Sequence, residues 1–170
     1  MSQKPDRIRD MKAVEAGYPF SGPNSTTLKQ LIKKPAAAVF ASFEDGAAWK
    51  EWLNLDVEWT SEKPFGVGTT RTVIANGQKI EETFLIWDEP KQMAFRFERG
   101  SLPLAAFAED YTLTPLNDSS CELAWTYAYE WEGPLGRFGE RAFGFFFARM
   151  GKRSLRKLAR MMASTDRYDR

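Results

Sequence analysis

Apolar and polar residues follow successive patterns along the chain. Two short segments, residues 36–43 and 47–53, have helical composition, and the bend Glu44-Asp45-Gly46 separates them. Between residues 57 and 131, apolar positions tend to recur at every second residue, which is typical of strands that bury one face. After Gly133-Pro134, large residues recur every three or four positions, which predicts one long amphipathic helix over residues 135–163.

Turn residues divide the alternating segment into strands. Together with one earlier strand, the predicted strands cover residues 26–33, 57–60, 67–75, 78–87, 91–99, 106–115 and 121–131. Sequential strands with short connections form an antiparallel meander, and the long helix must bury its apolar side against one face of that sheet. The sequence therefore predicts an α+β fold, with two short helices after the first strand.

A chain of 170 residues is expected to form one domain. Residues 1–23 are expected to be a poorly defined N-terminal lead-in, with a short helix at residues 6–16 that Gly17 ends. Residues 24–163 then make up the single domain, and residues 164–170 are expected to form a frayed C-terminal tail.

The dipeptide Asn76-Gly77 is the strongest hairpin signal, because both residues tolerate the positive φ of a type I′ turn. A two-residue loop places Arg71 opposite Glu82, and Val73, Ile80 and Phe84 mark the same face as the inward one. An ion pair on the apolar side of a sheet is costly unless something compensates it. Two interpretations stay open: the pair is a structural salt bridge in the core, or it lies on the wall of a cavity.

The last two predicted strands add more inward residues. Odd positions of the final strand are large and include Trp125 and Tyr127, whereas its even positions are small or acidic. On the strand before it, Tyr111 and Phe107 share a face with Glu109. Glu109 is therefore a second inward carboxylate. Two interpretations stay open: it belongs to a polar pocket in the interior, or it lies at the rim.

Composition removes several kinds of chemistry. The chain has no histidine and one cysteine, Cys121. A Ser-His-Asp triad, a histidine general base, a His-ligated metal, a four-cysteine zinc site and an internal disulfide are all excluded. Carboxylate, lysine, tyrosine or bound water remains for acid–base work, so no metal site and no cofactor are expected.

Charge and hydropathy limit the partners. A net charge of +1 argues against a nucleic-acid binder, and the longest apolar run is much shorter than a membrane span. The charged N-terminus has no apolar signal core, so we expect a soluble cytoplasmic protein without integral membrane association. The oligomeric state is left open between monomer and homodimer.

Several motifs together resemble the SRPBCC superfamily, which includes polyketide cyclase/dehydrase-like proteins, START domains and the birch-pollen-allergen family. The motifs are PAAAVF at 35–40, WKEW at 49–52, FGVGTTR at 65–71, residues 77–90, EDYTLTP at 109–115 and LAW at 123–125. The resemblance implies a helix-grip fold, in which a curved seven-stranded antiparallel sheet wraps round the C-terminal helix and encloses a deep apolar cavity. It also implies that Arg71 and Glu82 match a recurrent Gly-x-x-Arg and the Glu of the following strand.

Members of that superfamily bind or transport hydrophobic ligands, cyclise polyketides or assist larger complexes, so the resemblance does not fix one function. The first hypothesis is a binding protein for a small hydrophobic molecule, lipid-like or aromatic. Ligand cavities combine apolar walls with a few polar groups. The candidate ligand-binding residues are Arg71, Glu82, Phe84, Glu109, Tyr111, Trp125, Tyr127, Phe143 and Phe147.

The second hypothesis is an enzyme of the cyclase, aromatase or dehydratase type. Glu82 or Glu109 would serve as the base if burial raises its pKa, and Arg71 or Tyr111 would stabilise an oxyanion. The proximity of Arg71 argues against Glu82, because a nearby cation lowers the pKa of a carboxyl group. No catalytic residue is assigned.

A third hypothesis is an interaction protein that uses its basic C-terminal helix on an anionic surface. The cations concerned are Lys152, Arg153, Arg156, Lys157 and Arg160. The simpler interpretation is that these cations solvate the outer face of the helix and complement its dipole.

Overall fold

The computed structural model describes residues 8–169. Its strands are β1 (Arg9–Asp10), β2 (Thr26–Ile32), β3 (Asp56–Trp59), β4 (Thr70–Ala75), β5 (Gln78–Asp88), β6 (Gln92–Gly100), β7 (Leu104–Asn117) and β8 (Ser120–Trp131). Its helices are α1 (Tyr18–Ser21), α2 (Ala36–Phe43), α3 (Gly46–Leu53) and α4 (Gly136–Ser164). The predicted α+β class, with two short helices after the first long strand, is confirmed.

Seven strands form one antiparallel sheet in the order β2-β8-β7-β6-β5-β4-β3, and β1 adds to the end of β6. Helix α4 packs against β2, β8 and α3. This is the helix-grip arrangement that the resemblance implied. Gly151 lets α4 approach the sheet closely, since a Cβ atom there would lie 2.6 Å from Cδ1 of Leu28.

Local sequence explains the two elements that position the site. Helix α3 begins after Asp45, whose carboxylate accepts a hydrogen bond from the backbone N–H of Ala47 at 2.9 Å. The β4–β5 hairpin turns at Asn76 and Gly77, both at positive φ. The predicted register is confirmed, with Arg71 opposite Glu82 and no bulge between these two strands.

Two local predictions are wrong, one for a helix near the N-terminus and one for the start of a strand. Described residues of the helix expected at 6–16 instead extend along the sheet, where Met11 N–H donates to the carbonyl of Glu98; residues 6 and 7 lie outside the described range. The strand expected from residue 67 begins at Thr70, because Gly68 adopts a φ of +86°. In the N-terminal segment, pairing with the sheet overrode the local helix propensity. At residues 67–69, the turn conformation of Gly68 overrode the local strand propensity.

The expected C-terminal tail is packed and not frayed over residues 165–169, and residue 170 lies outside the described range. Tyr168 is buried, and its hydroxyl donates to Oδ2 of Asp45 at 2.6 Å. Lys34 forms an ion pair with Asp169 at 2.6 Å. These contacts hold residues 165–169 against the α2–α3 bend, although the sequence there has no strong periodic signal.

Candidate functional site

A cavity of about 780 Å³ lies between the concave face of the sheet, α3 and the central part of α4. Six predicted site residues line it: Arg71, Glu82, Glu109, Trp125, Phe143 and Phe147. Phe84, Tyr111 and Tyr127 are buried in the layer behind that wall. The structure therefore brings all nine together, six at the surface of the cavity and three as support.

Arg71 and Glu82 form a buried ion pair in the cavity wall. Nε of Arg71 donates to Oε2 of Glu82 at 2.5 Å, and the two residues are 1% and 3% exposed. Nη1 and Nη2 of Arg71 are buried and have no hydrogen-bond partner among the described residues. Buried donors are normally satisfied, so an oxygen acceptor that reached these two nitrogens would gain binding free energy; because both are covered, it reaches them only when neighbouring side chains shift.

Aromatic rings surround the Arg71 guanidinium. Its carbon lies 4.4 Å from the ring centroid of Trp49, 4.7 Å from that of Phe95 and 5.1 Å from that of Phe84. Desolvated cation–π contacts of this kind stabilise a buried cation and fix its orientation. Phe84 thus acts on the site through Arg71 and does not line the cavity.

The second carboxyl group of the cavity, Glu109, is in an environment that favours its neutral form. Burial raises the pKa of Glu109 to about 8, and the charge of Glu82 adds to the increase. A hydrogen bond from Tyr111, whose hydroxyl donates to Oε2 of Glu109 at 2.7 Å, opposes it, as do Arg71 and Trp125. Glu109 is therefore mostly protonated at pH 7.

The pKa of Glu82 does not follow the simple expectation from its partner. Arg71 lowers it, as the sequence predicted, but burial has the larger effect and raises the pKa overall. Glu82 and Arg71 are in direct contact, so Arg71 compensates the negative charge of Glu82 when that carboxyl group is ionised.

Trp125 and Phe147 form an aromatic part of the cavity wall. Trp125 stacks on Tyr111 with a centroid distance of 5.5 Å, and Phe147 meets Tyr127 edge-on at 4.7 Å. Each contact joins a residue that lines the cavity to a buried residue behind it, so this packing holds the rings of Trp125 and Phe147 in place.

Sequence reasoning missed several lining residues. Trp49 and Trp52 lie in the predicted short helix 47–53; they are fully buried and also line the cavity. Phe95 and Phe97 alternate with polar residues on β6, so the period-two pattern contained the signal for them. Arg149, Arg153 and Lys157 recur at intervals of four, which places them on one side of α4.

A second hollow of about 810 Å³ lies outside, between α2 and the C-terminal residues. Its charged side chains include pairs that already satisfy one another: Lys34 with Asp169, and Lys63 with Glu44 at 3.1 Å. The inner cavity is the better candidate site because it combines aromatic walls with buried donors that have no partner among the described residues.

Residues 8–169 contain no cluster of three or more acidic or cysteine side chains that would hold a metal ion. Within the same range, each helix is too short or too polar to cross a membrane.

Comparison with known proteins agrees with this architecture. The family model described as "Polyketide cyclase / dehydrase and lipid transport" matches residues 24–163. With a fold and a cavity of this kind, and a match over most of its length, the chain belongs to that family, which is of the SRPBCC type.

Uncharacterized proteins of Mycobacterium bovis and Mycobacterium tuberculosis are 40% identical to this chain over 100 residues. The match covers 56% of this chain and 59% of each mycobacterial protein, which is less than two thirds of their length.

Solved structures share the fold at low sequence identity. TTHA0849 from Thermus thermophilus has a TM-score of 0.67 and 18% identity, with 83% of this chain and 99% of that chain covered. Zhui aromatase/cyclase from Streptomyces sp. R1128 has a TM-score of 0.63 and 14% identity, with 82% and 93% covered. The di-domain ARO/CYC BexL has a TM-score of 0.65 and 16% identity, with 83% and 48% covered.

Proposed function

We propose that this protein binds a small, largely hydrophobic molecule in the inner cavity. The observation that supports this most directly is the combination of an aromatic wall with two nitrogens of Arg71 that have no hydrogen-bond partner within residues 8–169. An apolar ligand that carries one oxygen acceptor would bury its hydrocarbon part and satisfy those donors together. A cavity of about 780 Å³ is within the usual size range of small-molecule sites.

Binding is tested with N-phenyl-1-naphthylamine, an uncharged probe whose fluorescence increases in apolar surroundings. We expect saturable binding by the wild-type protein. Ser154 lines the cavity on α4, so Ser154→Trp should occupy part of the space and weaken binding of the probe. Ser164→Trp places the same side chain at the exposed end of the same helix and should leave binding intact.

Two results would refute the proposal. One is the absence of any fluorescence increase with the wild-type protein. The other is equal binding by Ser154→Trp and Ser164→Trp, since the probe would then occupy another apolar surface.

A second candidate function is proton-transfer chemistry on a ligand with carbonyl groups, as in a cyclase or dehydratase. The pKa of Glu109, raised to about 8, favours this candidate because a general acid–base group works best when its pKa lies near the operating pH. Glu109 would exchange a proton with the carbon next to a carbonyl, while Arg71 would bind the oxygen on which negative charge develops.

This candidate is tested by incubating the protein with a linear poly-β-ketone and following ring formation. Glu109→Gln should lose turnover and still bind N-phenyl-1-naphthylamine. Unchanged turnover in Glu109→Gln would remove Glu109 as the acid–base group. No turnover above background in the wild-type protein would remove the enzymatic function and leave the binding function standing.

A further inference from the structure

Three cationic side chains of α4 border the inner cavity. Arg149, Arg153 and Lys157 are exposed to solvent and line the cavity at the same time, so they form its rim. Successive members are four residues apart, which puts them on one side of the helix and spreads them over about 12 Å.

None of the three rim cations forms an ion pair with a described residue. This is uncommon for the chain, in which many exposed cations, such as Lys29 and Lys50, have a carboxylate within 3 Å. Helix α4 holds eight Lys or Arg residues and one Glu, whereas the whole chain has a net charge of +1. The positive charge of the protein is therefore concentrated on the helix that borders the cavity.

Deeper in the cavity, the charges are balanced. Arg71 is already paired with Glu82, and burial keeps Glu109 mostly neutral at pH 7 by raising its pKa to about 8. These two are the carboxyl groups among the described lining residues, and both are buried. The cavity therefore has an apolar, nearly neutral interior. Its rim is positively charged, because the two carboxyl groups among the described lining residues are buried in the interior.

We propose that the ligand is an amphiphile with one anionic group, a carboxylate being the simplest, which Arg149, Arg153 and Lys157 bind at the rim while its apolar part lies inside. This inference rests on the proposed binding function and adds the substrate class. In the interior, Arg71 is covered and Glu82 already compensates its charge, so an anion would lose its hydration for little gain. The rim cations, which have no ion-pair partner among the described residues, attract the anion and repel a cationic amphiphile.

The helix provides a matched control. Lys152, Arg156 and Arg160 are exposed on α4 but do not line the cavity. Replacing either trio by glutamine removes the same charge from the same helix. At 0.1 M salt, interactions beyond about 10 Å are largely screened, so only cations close to the ligand should affect its affinity.

The experiment measures how decanoate and decan-1-ol displace N-phenyl-1-naphthylamine. The two competitors have the same chain length and differ in charge. We expect the wild-type protein to bind decanoate roughly tenfold more tightly than decan-1-ol. Three exposed ionic contacts of ordinary strength would together supply that difference in affinity. In R149Q/R153Q/K157Q the preference should disappear while affinity for decan-1-ol is unchanged. In K152Q/R156Q/R160Q it should persist.

Three outcomes would overturn the inference. Equal affinity of the wild-type protein for both competitors would show that charge is not recognised. An equal loss in both triple variants would show a general attraction to the helix. A preference that survives in R149Q/R153Q/K157Q would place the carboxylate on the free nitrogens of Arg71 instead. In each case the uncharged probe still binds, so failure of the proposed function itself, in which the probe does not bind at all, is distinguishable.

Discussion

Replacing Glu109 by glutamine should change how the stability of the protein depends on pH. The folded protein holds a proton on Glu109 up to a pKa of about 8, whereas the unfolded chain releases it near the ordinary value of 4.5. Between these two values the folded state binds more protons than the unfolded state. The contribution of Glu109 to the free energy of unfolding is therefore largest at acidic pH and is lost as the pH rises.

The size of the effect follows from the two pKa values. Within the window the slope approaches about 1.4 kcal/mol per pH unit. From pH 5 to pH 7.5, the wild-type protein should lose roughly 3 kcal/mol through this group. Glutamine keeps an oxygen that accepts the Tyr111 hydrogen bond and has no proton to lose. The stability of Glu109→Gln relative to the wild-type protein should rise by the same amount over that range.

Urea unfolding monitored by tryptophan fluorescence at constant ionic strength measures this difference. Other buried groups that titrate, such as Asp110, occur in both proteins and cancel to first order. The control is Glu51→Gln, an exposed position on α3, whose stability should run parallel to that of the wild-type protein. A difference between Glu109→Gln and the wild-type protein that stays flat from pH 5 to pH 7.5 would refute the reasoning.

Three further predictions concern packing and pairing. Arg71→Met should cost about 3–5 kcal/mol because it leaves Glu82 buried without its partner, and Arg71→Met/Glu82→Met should recover most of that loss in urea unfolding. Gly151→Ala should cost about 1–3 kcal/mol, since the new methyl group would overlap Leu28; a thermal midpoint equal to that of the wild-type protein would contradict the close packing of α4. Asp45→Ala should lower stability by about 1–2 kcal/mol through loss of the α3 cap and of the hydrogen bond from Tyr168, and intact stability in a denaturant titration would show that neither contact stabilises the fold.

The arrangement of the site could be predicted only in part. The face of each strand followed from its alternation, and the Asn76-Gly77 turn set the register, so Arg71 and Glu82 were placed side by side from sequence alone. Strand alternation and turn chemistry do not show whether an inward side chain lies at the cavity surface or behind it. Phe84 shares that inward face, yet it lies behind the guanidinium of Arg71 and not at the cavity surface.

Contacts between distant segments were not visible in any local pattern. Trp49 reaches Arg71 because α3 folds over the sheet, and Tyr168 reaches Asp45 across more than a hundred residues of chain. Residues 9–12 adopt an extended conformation because free backbone groups of β6 and β7 accept their hydrogen bonds. Patterns that extend over a few residues therefore do not reveal these contact partners.

Four features could be predicted from the sequence alone: the fold class, the order of the elements, the hairpin register and the inward ion pair. These depend on periodicity and turn chemistry, which act over a few residues. The folded structure was needed to show three further properties: two donors of Arg71 have no partner within residues 8–169, Glu109 is buried enough to stay protonated, and three cations of α4 border the cavity. Those properties depend on which surfaces exclude water, and that is set by how α3 and α4 close over the sheet.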